Sequence, residues 1–294
     1  MMNKPIMNPY ILVGIGVISV STSAIFVKLS TAPSGVIAFY RLFFSVLILL
    51  PIFLYNHLHE VRKMTKKDLY YSFLAGFLLA FHFILWFESL NYTSVASSTV
   101  LVTLQPLFSF FGTYFFFKEQ ISKKTLISGL IAIIGSFIIG WGDFQYKGQA
   151  LYGDFLALVA CALITGYLLV GQAVRKRISN VSYTFVIYSM SSITILLYVL
   201  FKGEPLFPYS MENWIYFLLL AILPTLLGHS IFNWSLKWIS TNFISMAILF
   251  EPIGSSILAF IILDERLMCT QWIGGLLVIL GLFIYTMNPK NRSL

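Results

Sequence analysis

The sequence predicts an all-α integral membrane protein with ten transmembrane helices in two inverted five-helix repeats. Three observations support this fold class. The chain is 59% hydrophobic and only 10% charged, whereas soluble domains carry about 25% charged residues. Its apolar residues fall into ten runs that are long enough to cross a bilayer. One segment also occurs twice, at a constant separation along the chain.

The ten runs contain 17 to 23 residues each and are joined by short connectors. At 1.5 Å per residue, each run is long enough to cross the hydrocarbon core as a helix. The first run begins at Pro9 and is interpreted as a span, because it is rather long for the core of a cleaved signal peptide. In chain order the predicted spans are 9–27, 35–55, 69–89, 95–117, 125–141, 151–173, 183–201, 214–236, 242–263 and 270–287.

The repeated segment divides the chain into two units, residues 1–145 and residues 146–294. Equivalent residues are separated by 146 positions without a gap, as in Pro106 and Pro252, Ser109 and Ser255, Glu119 and Glu265, Gly129 and Gly275, and Gly135 and Gly281. Each unit has five predicted spans, an odd number. The second unit therefore enters the membrane from the opposite face, which makes the repeat inverted.

The distribution of Lys and Arg predicts the orientation of the protein, with both termini in the cytoplasm. The plasma membrane is the expected location. In this orientation fourteen of the 19 cationic residues are cytoplasmic and four are external, in agreement with the positive-inside rule. Arg41 is the remaining one and lies within the second span. The four external residues are Lys28, Lys147, Lys202 and Arg266.

Composition and motifs exclude several classes of function. The net charge of +8 does not indicate nucleic-acid binding, since the basic residues lie in short loops between apolar runs. Cys161 and Cys269 form neither a disulfide framework nor a metal-ligand spacing, and no metal or cofactor is predicted. The sequence has no nucleotide-binding loop of the GxxxxGK[ST] type, which argues against an ATP-driven pump. No catalytic residues are predicted, because HExxH and GxSxG motifs are absent.

Motifs in both halves resemble the EamA-type family of the drug/metabolite transporter superfamily. In the first half they are Phe39-Tyr40-Arg41-Leu42, the stretch 82–98, Gln105-Pro106, Glu119 and Gly129, and in the second half Glu251-Pro252, Glu265 and Gly275. The resemblance covers nearly the whole chain. It implies ten helices in two inverted repeats around a central cavity, with export of amino acids or related metabolites as the commonest activity. One departure is Gln105, which stands where the second copy has Glu251.

Ionisable residues inside the spans are the first candidates for a substrate site, because a charge in the membrane requires a partner or a wet cavity. Arg41 is predicted to bind a substrate carboxylate. The alternative is a snorkelling or structural arginine that pairs with Glu88 or with a carbonyl at a helix end. Glu251 is predicted to line the cavity and to carry a coupling proton. The alternative is that Glu251, like Gln105, satisfies the helix break made by the following proline.

Polar residues at helical spacing extend this candidate site. His82 and Trp86 share a face of the third span, and His229 and Asn233 have the same spacing in the eighth. The assumed topology places the first pair in the outer half of the membrane and the second pair in the inner half. We expect these pairs to line the cavity or to form hydrogen bonds between helices. Further cavity candidates are Ser19, Thr22, Ser23 and Tyr167.

Two remaining features are interpreted as structural. Glu119 and Glu265 are expected to cap the helices that follow them. Glycines in the fifth and tenth spans are expected to let helices pack closely, either within the chain or across a homodimer.

The function that follows is secondary transport of small molecules by alternating access, with export of amino acids or related compounds as the expected activity. The expected partners are a small-molecule substrate, the lipid bilayer and, as a coupling ion, the proton. An integral membrane enzyme or accessory subunit acting on lipid-linked substrates is the alternative from another class. It would need clustered carboxylates or histidines near the headgroup plane, and the sequence offers only scattered ones.

Overall fold

The fold is entirely helical over the residues described by the computed structural model, which are 5–141, 148–264 and 268–287. Nine of the helical segments in these ranges are long and apolar enough to cross a membrane. The all-α membrane architecture is confirmed, while ten spans stay a prediction. The segments are α1 (Pro9–Leu29), α2 (Ser34–Arg62), α3 (Lys66–Ser89), α4 (Val95–Phe117), α5 (Lys123–Gly140), α6 (Gln149–Val174), α7 (Asn180–Lys202), α8 (Met211–Ser235), α9 (Thr241–Ile262) and α10 (Cys269–Thr286).

Hydroxyl side chains at the connectors fix where several helices begin. Thr65 accepts a hydrogen bond from the backbone of Asp68 at 3.1 Å, and the Asp68 carboxylate returns a contact to the Thr65 backbone. Ser122 and Ser179 cap α5 and α7 in the same way, by accepting from the third residue of the helix. Such caps satisfy backbone donors that have no partner inside the helix, so they set the boundaries between spans.

The helices of spans four and nine are each broken in the middle, at equivalent positions. The helix of α4 stops at Val102 and restarts at Gln105, and that of α9 stops at Ile248 and restarts at Glu251. A proline follows each restart and occupies the first turn of the second half-helix. Proline is tolerated there because the first-turn N–H groups have no intrahelical acceptor, whereas it would disrupt a continuous helix.

Helix α8 contains a wide turn that the sequence pattern does not predict. Residues Ala221–His229 form a π-helix around Pro224. The hydroxyl of Thr225 donates to the carbonyl of Leu220, five residues earlier, at 2.8 Å. A π-helical turn shifts the side chains that follow it around the helix axis and is frequent at functional sites. It therefore sets the direction of Thr225 and His229.

Helices from the two halves alternate in the bundle, so the core lies between the halves. Helix α2 packs against α7, α4 against α9, and α5 against α10. Helix α3 packs on α6, and α1 packs on α8. The halves of the chain are thus interleaved, and residues from both face a common centre.

Glycines bring α5 and α10 together within the chain. A Cβ atom on Gly135 would lie 2.6 Å from the carbonyl oxygen of Gly274, and a Cβ atom on Gly274 would lie 2.7 Å from Ile139 Cγ1. Both distances are too short for real atoms. These two glycines are therefore required for contact between helices of one molecule.

We expect Gly274→Ala to destabilise the protein by about 1–3 kcal/mol, since the added methyl group overpacks a contact with backbone atoms. Gly275→Ala is the matched control, because its Cβ atom would lie 3.6 Å from Ile253, an ordinary contact distance. Thermal unfolding in detergent should show a lower Tm for the first variant alone. Equal Tm values for both variants would contradict the packing argument.

Candidate functional site

A small pocket lies at the centre of the bundle, where the broken helices α4 and α9 meet α1, α2, α3, α6 and α8. Its volume is about 20 Å³, which is room for roughly one water molecule. Seven polar or aromatic predicted residues line it together with apolar residues from both halves. The lining residues are Val20, Ser23, Arg41, His82, Trp86, Val102, Gln105, Ile164, His229, Phe232, Ile248 and Glu251.

Arg41 is fully buried at this pocket, with 0% of its surface exposed. Its Nε donates to Thr225 at 2.7 Å and its Nη1 donates to Ser23 at 2.9 Å. The guanidinium also lies 4.1 Å above the ring of Phe83. Nη2 has no hydrogen-bond partner among the described residues. A buried cation with a free donor edge is suited to bind an anionic group of a ligand.

The alternative prediction of an Arg41–Glu88 ion pair is wrong. Glu88 lies near Asn91 and Tyr92, whose side chains donate to its carboxylate at 3.4 Å. The neutral hydroxyls of Ser23 and Thr225 hold Arg41 in its place. No carboxylate of the described residues bonds directly to Arg41, so none of them cancels its positive charge in this way.

His82 and Trp86 form a stacked pair on one wall of the pocket. Their rings are 5.7 Å apart and 23° from parallel. His82 Nδ1 contacts the carbonyl of Ala160 at 3.0 Å, so this nitrogen carries a proton and, in the neutral ring, Nε2 is an acceptor. The Nε1 donor of Trp86 is without a partner among the described residues. This wall thus offers both a hydrogen-bond acceptor and a donor.

His229 lies against the same pocket, although the assumed topology puts it in the other half of the membrane from His82. Its ring meets that of Phe83 edge-on, with 5.5 Å between centroids. Within the described ranges its Nδ1 has no hydrogen-bond partner. The π-helical turn of α8 ends at His229 and so presents this ring to the centre.

The two broken helices contribute Gln105 and Glu251 from equivalent positions. Each residue begins the second half-helix of its span, and each side chain is buried at the pocket. The Gln105 Oε1 acceptor has no partner in the part of the chain that the structure describes. One break therefore supplies a neutral amide and the other a titratable carboxyl group.

Four predicted residues do not line the pocket. Asn233 Nδ2 donates to the Tyr167 hydroxyl, and this buried pair lies behind His229, whose ring is 6.5 Å from that of Tyr167. Ser19 donates to the carbonyl of Ile15 at 2.9 Å, and Thr22 donates to that of Ser19 at 2.7 Å. Both hydroxyls are thus used within their own helix. Of the predicted stripe on α1, Ser23 alone reaches Arg41.

Sequence reasoning missed Thr225 and Phe83, which position the guanidinium of Arg41. A signal for Thr225 exists, because it follows Pro224 inside an apolar span where a break is expected to expose polar groups. The chain has 28 phenylalanines, and nothing in the sequence around Phe83 distinguishes it from the others. The sequence therefore does not indicate that Phe83 contacts Arg41.

The site has no set of metal ligands. No group of three or more His, Cys, Asp or Glu side chains comes together among residues 5–141, 148–264 and 268–287. Chemically, the pocket offers one cation, one carboxyl group, two imidazoles, an indole and an amide. This set suits noncovalent recognition of a small polar molecule.

Hydrogen bonds join the two halves on either side of this pocket. Near the end of α1, Ser30 donates to Asn213 Oδ1 at 2.6 Å and Asn213 Nδ2 donates to Thr31 at 3.0 Å. After α4, the Glu119 carboxylate accepts from Gln172 at 2.8 Å and from Asn242 at 3.1 Å. Each set links a connector of the first half to helices of the second.

The prediction that Glu119 caps the next helix is wrong. Ser122 caps α5, accepting from the Thr125 backbone at 3.1 Å, and this leaves Glu119 for the contacts with α6 and α9. A hydroxyl closer to the helix start reaches its N–H groups better than a carboxylate three residues earlier. Glu265, the equivalent residue, lies outside the described residues.

The Glu119 contacts predict a dependence of stability on pH. Burial raises the pKa of Glu119 above its ordinary 4.5, although Gln172, Lys176 and Asn242 act in the opposite direction. The folded state then holds a proton that the unfolded state releases, so stability is present below about pH 4.5 and declines as the pH rises through the folded pKa. We expect this decline in the Tm of the natural protein and a weaker one in Glu119→Gln. Glu212→Gln, at an exposed carboxylate, is the control, and equal slopes in all three proteins would contradict the role of Glu119.

Comparison with known proteins identifies the family to which the chain is similar. The model of the EamA-like transporter family matches residues 7–141 and 151–287, one copy in each half. An uncharacterized transporter of Clostridium kluyveri is 25% identical over 257 residues, covering 85% of this chain and 83% of that protein. The uncharacterized transporter YxxF of Bacillus subtilis is 23% identical over 266 residues, covering 89% and 84%. A solved crystal structure of another protein has the same fold, with a TM-score of 0.76 at 15% identity, covering 95% of this chain and 96% of that one.

These matches cover almost the whole chain and agree with its membrane-spanning helices. Transport, and not catalysis, is the activity named for the relatives. The protein is a multi-pass membrane protein that belongs to the EamA-like transporter family.

Proposed function

We propose that the protein exports small metabolites by alternating access, with amino acids or closely related compounds as substrates bound at the central pocket. One observation carries this proposal. A fully buried arginine with a free donor edge shares a pocket with a carboxyl group, at the point where two broken helices from the two halves meet. Substrate sites at discontinuous helices between repeats are typical of secondary transporters.

The packing of equivalent helices supports an inverted repeat of residues 1–145 and 146–294 with ten spans. In a structure with an internal two-fold axis, helices nearest the axis contact their own equivalents. Helices α2 and α7, α4 and α9, and α5 and α10 are such pairs, and the contact of α1 with α8 matches that of α6 with α3. An axis of this kind lets the two membrane faces exchange roles during transport.

The pocket must widen during transport, because its volume of about 20 Å³ holds no more than roughly one water molecule. The Asn213 and Glu119 contacts lie at connectors on opposite ends of the bundle, since successive helices joined by short connectors run antiparallel. Breaking the contacts between the halves at one end, while keeping those at the other end, would open the pocket to one side at a time. The proposed cycle therefore includes a closed intermediate, and the narrow central pocket supports it.

The chemistry of the pocket favours a zwitterion. A carboxylate suits the free edge of Arg41, and an ammonium group suits Glu251 and the acceptor of Gln105. Phosphorylated substrates are disfavoured, because Arg41 is the one Lys or Arg among the described lining residues. Glu251 is also the group that could exchange a proton with the solvent and so couple transport to a proton gradient.

The proposed orientation has both termini in the cytoplasm and the protein in the plasma membrane. A fluorescent protein that folds only in the cytoplasm, fused after residue 294, should therefore be fluorescent. A periplasmic or extracellular reporter at the same place should be inactive. The reverse pattern would overturn the orientation without affecting the fold.

The proposal is tested by flux in proteoliposomes loaded with a panel of amino acids, purines and cationic drugs. We expect saturable release of amino acids, with competition between related members of that class. Release of another class would reassign the substrate. Release of no compound by protein shown to be folded would favour the alternative of a membrane enzyme or subunit, and ion flux at channel rates would contradict a carrier.

A further inference from the structure

A groove on the side of the bundle runs between α3, α4 and α6 and is distinct from the central pocket. Its volume is about 440 Å³, and none of its described lining residues is shared with that pocket. Its walls are half-buried apolar side chains on three helices that the chain places in the membrane. Those walls include Leu74, Leu78, Phe117, Leu169, Val170 and Ala173.

Polar side chains are confined to one end of this groove, among its described lining residues. They are Lys67 and Tyr71 at the start of α3 and Arg177 just after α6. Lys67 is exposed, and its Nζ lies 5.8 Å from the ring centre of Tyr71. The groove is therefore amphipathic along its length, with cations at the membrane boundary and hydrocarbon below.

Arg177 is held in position and still presents donors to the groove. Its Nη2 contacts Asp68 at 2.6 Å, and Thr65 in turn donates to Asp68 at 2.7 Å. The side chain of Arg177 nevertheless keeps 55% of its surface exposed. A guanidinium has five N–H donors, so one contact leaves others for a ligand.

Cations outnumber carboxylates around this end, although Asp68 binds Arg177 and Glu60 binds Ser179 nearby. Arg177 also borders a neighbouring cavity of about 390 Å³, whose rim carries Lys176 and Lys237. Lys67 adds its charge on the other side. An anionic group at this end would be attracted by several cations. A zwitterionic group also carries a positive charge, which the same cations would repel.

We propose that this groove binds one anionic phospholipid, with its phosphate on Lys67 and Arg177 and an acyl chain along the apolar walls. Basic pockets between transmembrane helices recognise anionic headgroups in this manner. The apolar length of the groove favours a lipid over a free anion, since a free phosphate would leave those walls unused. The lipid site and the central pocket are independent, so each can be tested without the other.

The test is native mass spectrometry of the purified full-length protein with phosphatidylglycerol or phosphatidylcholine of identical acyl chains. We expect one phosphatidylglycerol to bind in preference to phosphatidylcholine. Lys67→Gln should weaken that binding about fivefold, the ratio expected for one lysine near an anionic lipid. Lys66→Gln is the matched control, because Lys66 is exposed in the same helical turn but does not line the groove.

A second variant tests the acyl-chain part of the site. Ala173→Phe should fill the groove and abolish the preferential phosphatidylglycerol adduct, while saturable substrate flux at the central pocket persists. Glycerol phosphate alone should bind far more weakly than the lipid. Equal binding of both lipids, equal effects of Lys67→Gln and Lys66→Gln, or full binding by glycerol phosphate would each overturn the proposal.

Discussion

Replacing Arg41 with glutamine is expected to lower amino-acid flux by about 30-fold or more without unfolding the protein. Loss of one partner of a buried, hydrogen-bonded charge pair costs about 2–5 kcal/mol, and the proposed substrate carboxylate would form that pair. Among the described residues, Arg41 otherwise donates to the neutral hydroxyls of Ser23 and Thr225 and lies over the ring of Phe83. Because a buried cation without a bonded carboxylate is itself unfavourable, the Tm of Arg41→Gln should be unchanged or higher.

A second buried arginine provides the control for this prediction. Arg175 donates to the carbonyls of Asn233 and Ile178 and does not line the central pocket. Arg175→Gln leaves these carbonyls short of donors and should lower the Tm, while flux per folded molecule is retained. Arg41→Lys should keep the charge but lose the two-point geometry, giving an intermediate flux. A large fall in Tm with unchanged substrate affinity in Arg41→Gln would assign Arg41 to the structure alone.

Replacing Glu251 with glutamine is expected to abolish substrate accumulation driven by a proton gradient. The substitution makes the second broken helix resemble the first, where Gln105 occupies the equivalent position. Glutamine keeps the size and hydrogen bonding of a protonated glutamate but cannot release a proton. Exchange of substrate across the membrane without a gradient should therefore continue in this variant.

The measurement is uptake of labelled substrate into proteoliposomes with and without an imposed pH difference, alongside counterflow. Gln105→Glu is an informative companion, since it places a second titratable group at the other break. We expect it to change the pH dependence of flux and not to eliminate flux. Accumulation by Glu251→Gln at the natural level would contradict proton coupling through this residue. Loss of counterflow as well would mean that the negative charge of Glu251 is essential for binding the substrate ammonium group.

The sequence by itself determined the class of the protein and most of the residues at its centre. Apolar runs of sufficient length and a low charge content specify membrane helices, because the bilayer imposes one length and one composition on any span. The repeat is visible as matching residues at a constant separation, and the central positions of Arg41 and Glu251 are expected from the cost of a charge in the membrane. An ionisable residue that persists in a hydrocarbon environment must face a partner or a cavity.

Only the tertiary structure decided how those residues are held and which of them meet. Thr225 reaches Arg41 because a π-helical turn redirects α8, and the breaks in α4 and α9 place Gln105 and Glu251 at one point. Predicting which side chains share a face assumes a regular α-helix. The prediction therefore fails for residues that follow an irregular turn. Ser19 and Thr22 show the converse, since their spacing matches a stripe while their hydroxyls bond to their own helix.

The lateral groove and the pairing of the glycines also depend on tertiary contacts. Lys67 and Arg177 are 110 positions apart, and no periodicity within one helix relates them. Gly135 and Gly274 could serve contacts within one chain or between two, and the packing of α5 on α10 shows that they serve one chain. The sequence pattern of a helix shows which of its faces must be buried. Which other helix covers that face depends on shape and charge complementarity across the whole bundle.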